Sequence, residues 1–282
     1  MQHAIPLTFY DIAGLLFFAA LWAMYGAIVG GHVFSRPSLN GAMNRQRRIW
    51  IQTMARRELR MIDTSILSGL QTGTGFFAST SLFALGGCFA LIGQSQHVLS
   101  VLSEIPFVTA PERGVFEFKI IGLSCLFAYS FFKFAWSYRL FNYCSILFGA
   151  VPPLLEADGD PIQFDAAIER AARMNILAGK HFNAGLRGIF FSIGYLGWFI
   201  SPLIFALSSL LVVIVLLRRQ FFSEARRTIL VDQAGPGSGE SIRPLSQEAT
   251  RPIHSRRATV AAESESSGLS VASPGSSSPR VR

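Results

Sequence analysis

Charge is scarce in this sequence, and its scarcity argues against a water-soluble protein. Only 15% of the 282 residues are Asp, Glu, Lys or Arg, whereas 50% are hydrophobic and the mean hydropathy is positive, at +0.39. A soluble domain of this length would be hard to keep in solution with so few charged groups. The composition therefore predicts an integral membrane protein.

Cysteine and histidine are also few, and neither forms a metal-binding pattern. Cys88, Cys125 and Cys144 stand alone inside apolar stretches, and the five histidines show no HExxH or HxxxH spacing. We expect no disulfide framework, metal site or other cofactor. Nucleophile-elbow, Walker and dinucleotide-binding motifs are absent as well, so no catalytic residue is assigned and an enzyme is not favoured.

The basic residues lie beside the apolar runs. A net charge of +8 would suggest nucleic acid as a partner of a soluble chain, but residues 35–63 concentrate seven arginines next to a membrane segment. This placement favours a cytoplasmic loop that contacts anionic lipid, and no nucleic acid. Met43, Trp50 and Met54 recur at helical spacing within it, which predicts an amphipathic helix over about 43–62.

Four apolar segments are long enough to cross a bilayer, for which about 20 residues suffice. The expected fold is all-α: a polytopic membrane helical bundle with a cytoplasmic amphipathic helix and a disordered tail. The spans are placed at about 10–33, 66–92, 116–135 and 188–217, and Pro202 is expected to kink the last of them. A soluble helix is predicted at about 165–181, capped by Asp165.

The chain divides into a membrane domain, 1–231, and a tail, 232–282. The tail is rich in Ser, Pro, Gly and Arg and has almost no aromatic residues. It cannot bury enough apolar surface to fold, so we predict that it is disordered.

The side of the membrane on which each terminus lies is the main conflict in the sequence. Four spans place both termini together, and the twelve Lys and Arg in 35–63 and 136–187 favour both termini outside. Arg218, Arg219, Arg226 and Arg227 follow the last span and favour an inward C-terminus instead. The chain continues apolar beyond the third span as far as Pro153. This stretch either projects into the cytoplasm or folds back. An added crossing at 139–155 would bring the tail inside.

Basic side chains next to hydrocarbon need partners, and the sequence offers two acids at the expected depth. Glu58 and Asp63 precede the second span, and Lys133 and Arg139 end the third, so we hypothesise one ion-pair network. Hydrogen bonds from further side chains would complete it: Asn142, Asn183 and Arg187. The network serves either as a structural element that sets helix register or as an anion or polar-solute site. Lys119 is expected to snorkel at the outer interface.

Three motifs resemble those of a known family. The runs FFKFAWSYRLFNYCSILFGAVP, RRELRMID with FFASTSLFALGG, and FNAGLRGIFFSIGYLGWFISP look like the bacterial and plant membrane family called domain of unknown function 599. The likeness covers roughly Phe9 to Arg227. It implies a multi-pass membrane protein and implies no reaction, substrate or cofactor.

Three kinds of function remain open for such a protein. The first is a structural or assembly partner within the cell membrane, a bacterial inner membrane by the resemblance, in which the chain could form a homo-oligomer. The second is a subunit of a small oligomeric transporter or channel for a polar or anionic solute, since four helices alone make a thin wall. The third is a membrane enzyme, for which the residues offer the least support.

Overall fold

The computed structural model describes residues 7–30, 38–104, 112–153 and 161–231. These residues form α-helices and no strand, which confirms the predicted all-α fold. The predicted disordered tail, 232–282, lies outside the described residues. The helices are α1 (Phe9–Val29), α2 (Leu39–Ala55), α3 (Met61–Gly93), α4 (Ser95–Ser103), α5 (Arg113–Gly149), α6 (Pro161–Tyr195), α7 (Pro202–Phe221) and α8 (Glu224–Val231).

Four stretches of helix are long and apolar enough to cross a membrane. They are Phe9–Val29, Met61–Gly93, Arg113–Gly149 and Pro202–Ile229. The first three correspond to the first three predicted spans. The protein is therefore a multi-pass helical membrane protein.

The longest helices, α5 and α6, pack against each other over most of their length in opposite directions. Small residues permit the close approach: the Ser137 hydroxyl donates to the Ala178 carbonyl at 2.8 Å, and Gly185 lies directly under the Phe134 ring. At 37 residues, α5 is about 55 Å long. It is one continuous helix through residues 139–149, so the third span projects beyond the bilayer and does not fold back.

Two hydrophobic cores lie one above the other along this helix pair. The transmembrane core is built around Phe18, Phe191 and Trp198, which come from α1, α6 and the turn that follows α6. The extension core includes Met54 and Phe141, and lies where α2 and the start of α3 pack on the far halves of α5 and α6. A bilayer core is about 30 Å thick, so the second core lies in the part of the bundle that overshoots it.

The predicted last span, 188–217, is not one helix, and this prediction was wrong. A 3-10 turn at Leu196–Phe199 ends α6, and Ser201 adopts an extended conformation as the N-cap of α7, with Pro202 at the first position of that helix. Proline disfavours helical geometry in the residue before it and is well suited to begin a helix, so the run breaks where a kink was expected.

After this break the chain reverses. The Ser208 hydroxyl donates to the Gly194 carbonyl at 2.6 Å, and the Trp198 ring stacks on the Phe205 ring at 5.3 Å. A straight helix would separate residues 194 and 208 by about 21 Å. Helices α6 and α7 therefore form an antiparallel hairpin.

The hairpin changes the expected topology. Five helical segments run along the transmembrane core: α1, α3, α5, the second half of α6 and α7. The segment from α6 is not among the four stretches that are long and apolar enough to cross a membrane. The first residues of α1 and α7 lie at the same end, where the groove between them begins at Thr8 and Ser201. The start of α1 and the end of α7 are thus at opposite ends of the bundle. This arrangement differs from the expected one, in which both termini lie on the same side, and residues 139–149 continue α5 as one helix. The side on which each terminus lies stays a prediction.

The two helices expected outside the membrane also have different bounds. The amphipathic helix predicted at 43–62 is α2, which ends at Ala55 and is followed by a turn before α3 begins at Met61. The soluble helix predicted at 165–181 is the first half of α6. The sequence pattern predicts that both helices exist, but it does not give the bounds that α2 and α6 have in the structure.

Close packing of α5 against α6 predicts a sensitive glycine. In Gly185→Ala the added Cβ would lie 2.7 Å from the Phe134 ring, so we expect overpacking to cost about 1–3 kcal/mol. Thermal unfolding in detergent should show a lower midpoint. Gly114→Ala is the matched control, because nothing lies within 4 Å of its Cβ position. Equal midpoints for the two variants would contradict the close α5–α6 contact.

Candidate functional site

The predicted ion-pair network does not form as one cluster, because its two acids lie in different surroundings. Glu58 is exposed, and within the described residues it makes no ion pair. Asp63 is fully buried in the first turn of α3. Its Oδ1 accepts hydrogen bonds from the Trp50 indole and the Arg57 guanidinium, both at 2.7 Å. The partners of Asp63 therefore come from α2 and the turn after it, and not from α5.

The two cations predicted to meet these acids are held by aromatic rings on their own helix. Lys133 Nζ lies 5.3 Å from the centre of the Tyr129 ring. Arg139 is exposed, donates from Nε to the Tyr143 hydroxyl at 2.6 Å and lies over the Trp136 ring. Lys133 is about 22 Å along α5 from Phe148, the residue that packs on Trp50 beside Asp63. The expected pairing of Lys133 with Asp63 is ruled out by this distance.

The remaining three residues of the predicted network form separate polar contacts between helices. Asn142 accepts a hydrogen bond from Gln71 of α3 at 2.8 Å. Asn183 donates to Asn40 of α2 at 3.2 Å. Each of these contacts joins one pair of helices, α3 with α5 and α2 with α6.

Arg187 has a different environment from the two asparagines. It donates to the Tyr129 hydroxyl at 3.4 Å and lies 5.6 Å from the centre of the Trp22 ring. Its Nε is buried and has no hydrogen-bond partner among the described residues. Lys133 and Arg187 thus both contact Tyr129, which makes them the one pair of predicted site residues that the fold brings together.

The arginines of residues 35–63 serve packing that sequence patterns do not reveal. Arg47 donates two hydrogen bonds at 2.8 Å to Asn175, one to its carbonyl and one to its side chain. The guanidinium lies against Gly179, where a Cβ would approach within 2.5 Å. Burial lowers the pKa of Arg47, since the charged form loses water. The arginine next to a glycine on another helix is the reason that α2 can lie flat on α6.

Arg60 ends α5. Its guanidinium donates to the carbonyls of Phe148, Val151 and Pro152 at 3.3, 2.6 and 2.9 Å. The last carbonyls of a helix have no partners within it, and a cation there also complements the helix dipole. The turn between α2 and α3 is thereby tied to the end of α5.

A buried polar cluster at the other end of the bundle was missed from sequence. Trp198 donates from its indole to Asp11 at 2.7 Å, and Lys119 donates to the Trp198 carbonyl at 2.8 Å. Lys119 is only 6% exposed, so the expectation that it snorkels is corrected. The available signals were a lone acid in α1 and a lysine near the start of α5. The Trp198 contact depends on the α6–α7 turn, which the sequence did not predict.

An open groove beside this cluster lies between α1 and α7. Its volume is about 690 Å³, and its walls are mainly apolar. Three lining residues carry hydroxyl groups, and two of them, Thr8 and Ser201, use theirs to cap α1 and α7, while the third is Tyr10. The groove therefore offers apolar surface and no reactive group.

Together the helices define a multi-pass membrane protein in which several charged side chains near the helix ends contact rings, amides and carbonyls. In the part of the chain that the structure describes, no group of three or more His, Cys, Asp or Glu is placed to hold a metal. The family described as "Protein of unknown function, DUF599" matches residues 13–225, and the chain belongs to it. This confirms the resemblance of the three motifs. Comparisons with curated proteins and with solved structures found no match.

Because Asp63 is buried and Glu58 is exposed, we predict that substitutions at these two acids change the unfolding free energy by different amounts. Asp63→Ala leaves the Trp50 indole and Arg57 without their acceptor, so we expect a loss of about 1–3 kcal/mol of unfolding free energy. Glu58→Ala should change it by about 0.5 kcal/mol or less, because Glu58 is exposed. Unfolding of both variants in the same detergent measures the difference. A Glu58 effect as large as that of Asp63 would show that the sequence-based network exists after all.

Proposed function

We propose that the protein is an assembly component of the membrane that forms homo-oligomers through the outward face of α3. The observation that carries the proposal is the poor burial of this helix. Its apolar window is 11% buried, against 39% for α5, although both are long enough to cross the bilayer with residues to spare. Helix α3 packs on α5 along one side only, which leaves the other side open.

The open side of α3 carries the residues that helices use to pack on each other. No atom lies within 4 Å of the Cβ positions of four of its glycines: Gly69, Gly73, Gly86 and Gly87. The exposed Thr72 and Ser79 add hydroxyl groups between them. The exposed face of α7 carries large side chains such as Leu203, Leu207 and Leu211 and has no glycine, whereas on α3 the glycines stand beside large exposed side chains such as Phe76 and Phe83. Small residues let two helix backbones approach closely, whereas large apolar ones suit lipid.

A second copy of the chain fits this face. From Thr64 to Gly93 α3 has no charged residue, so two copies can face each other without like-charge repulsion. Hydroxyl groups both donate and accept hydrogen bonds, which makes the surface complementary to itself, as a two-fold contact requires.

The alternative, a transporter or channel subunit for a polar or anionic solute, draws on the hydroxyl groups of the same helix. Three of these hydroxyls donate to carbonyls four residues back: Thr74, Thr80 and Ser81. Thr74 and Ser81 moreover face the protein interior. Their hydrogen bonds are thus met within the helix, which supports a packing role more than the wall of a solute path.

The orientation that we propose counts each of the five helical segments along the transmembrane core as one pass through the membrane. Arg218 and Arg219 end α7, and α2 with its arginines follows α1 at the same end of the bundle. The excess of basic residues places this end in the cytoplasm. The start of α1 then lies outside and the end of α7 inside, in a cell membrane of bacterial inner-membrane type. Anionic lipid at residues 35–63 remains part of the proposal, although Arg47 and Arg60 are engaged within the protein.

A cysteine on α3 tests the proposed contact. With the exposed Cys125 replaced by Ala, Gly73→Cys should form a disulfide-linked dimer in membranes on mild oxidation. Ala19→Cys is the matched control, a small exposed residue on α1, and should remain monomeric. Gly73→Leu should in addition shift the detergent-solubilised protein towards monomer.

Other outcomes would contradict the proposal. Monomer throughout, with the Gly73 and Ala19 cysteines equally unlinked, would mean that the α3 face contacts lipid. A stoichiometric complex with a different membrane protein, lost in Gly73→Leu, would keep the assembly role and replace the second copy as the occupant.

A further inference from the structure

Tyr129 joins two basic side chains from different helices. Lys133, one turn further along α5, lies over its ring, and Arg187 of α6 donates to its hydroxyl. Trp22 of α1 covers the guanidinium of Arg187 from another side. Three helices thus converge on one basic and aromatic cluster, which we call the Tyr129 cluster: Trp22, Tyr129, Lys133 and Arg187.

The helices around the Tyr129 cluster carry no acid to balance these charges. There is no Asp or Glu after Asp11 in α1, after Glu117 in α5 or after Glu169 in α6, and none in α2 or α7. Lys180, a further cation on α6, lies near His181, as Lys133 does. Two cations that share a neighbour without a counter-charge are costly in a medium of low dielectric constant, so an anion from outside the chain would stabilise them.

Arg187 retains unused donor capacity. A guanidinium has five N–H donors, yet within the described residues it makes one hydrogen bond, at the long distance of 3.4 Å. Its Nε is buried without a partner. Arginine binds the oxygens of a phosphate through two parallel donors, and lysine serves as a point charge beside it.

The depth of the cluster fits a lipid headgroup. Arg187 lies beside Gly26 in the last turns of α1, where the transmembrane core ends. Lys133 lies about 21 Å along α5 from Lys119, which is at the other end of the transmembrane core. The flexible side chain of Lys133 can extend further along the helix axis, towards the lipid headgroups. Arg218 and Arg219 end α7 on this same side of the bundle.

We propose that the Tyr129 cluster binds a phosphate-bearing anion at the cytoplasmic end of the transmembrane core, with Arg187 and Lys133 as its ligands. The anion is the headgroup of a phospholipid or free phosphate, which share this chemistry. The site is independent of the α3 contact, because it lies among α1, α5 and α6.

Binding to the delipidated full-length protein in detergent tests the site. Phosphatidylglycerol is compared with a phosphate-free galactolipid, and inorganic phosphate with sodium chloride at the same ionic strength. Retained lipid is measured by native mass spectrometry and stabilisation by the thermal midpoint. Phosphatidylglycerol should bind and raise the midpoint, and the galactolipid should not. Stabilisation by inorganic phosphate without retained phospholipid would assign the site to free phosphate.

Variants identify the ligands. Lys133→Gln and Arg187→Gln should each weaken binding of the phosphate-bearing probe by about tenfold, as expected when one charge-assisted contact is lost. Arg139→Gln, the matched control on α5, should bind as the wild type does, because Arg139 is exposed and held by Tyr143. Arg187→Lys keeps the charge and should retain part of the binding.

The sign of the stability change separates a ligand site from a structural one. Without added anion, Lys133→Gln should unfold at the same midpoint as the wild type or higher, since it removes an unbalanced charge. A lower midpoint for Lys133→Gln under these conditions would indicate a structural role and overturn the proposal. Equal affinity of all variants, or no response to either phosphate probe, would also overturn it. If Arg187→Gln does not fold, Lys133→Gln and Arg187→Lys still give the result.

Discussion

The close antiparallel contact of α5 with α6 is the constraint on which the rest of the molecule depends. The two backbones approach through Gly185, Gly188 and the Ser137 hydroxyl, and both helices are longer than a bilayer is thick. The pair therefore supports two cores, one among the membrane passes and one beyond them. Helix α2 and the beginning of α3 pack on the second core, so the arginine-rich part of the chain is folded against the protein.

Polar contacts in this bundle follow from the scarcity of acids. Where Asp63 and Asp11 occur, each is buried and each accepts a hydrogen bond from a tryptophan indole. Some cations use other acceptors: Arg60 binds carbonyls at the end of α5, and Lys133 lies over a ring. Other cations pair with glutamates, as Arg48 and Arg173 do with Glu169. The predicted pairing of Lys133 with Asp63 does not form, since Lys133 lies about 22 Å along α5 from Phe148, which packs on Trp50 beside Asp63.

Composition and apolar periodicity were enough to predict the class, the first three spans and the presence of α2. These predictions depend on the average pattern of apolar residues over many positions, and that pattern can be read from a single sequence. Ser201 and Pro202 are plain in the sequence, but the sequence does not show whether the helix kinks or ends there. That outcome depends on packing against neighbouring helices. Packing of Trp198 on Phe205 favours the break. Single contacts such as Arg47 with Asn175 join residues 128 positions apart and leave no local pattern.

In the orientation that we propose, the α6–α7 hairpin sets the number of membrane passes, and with it the side on which each end of the bundle lies. Two single cysteines, Thr8→Cys before α1 and Glu224→Cys after α7, report this directly when Cys125 is replaced by Ala. A membrane-impermeant maleimide added outside intact cells should label the cysteine at position 8 and leave the one at 224 unlabelled until the membrane is opened. Labelling of both from the outside would contradict the hairpin and restore an even number of crossings.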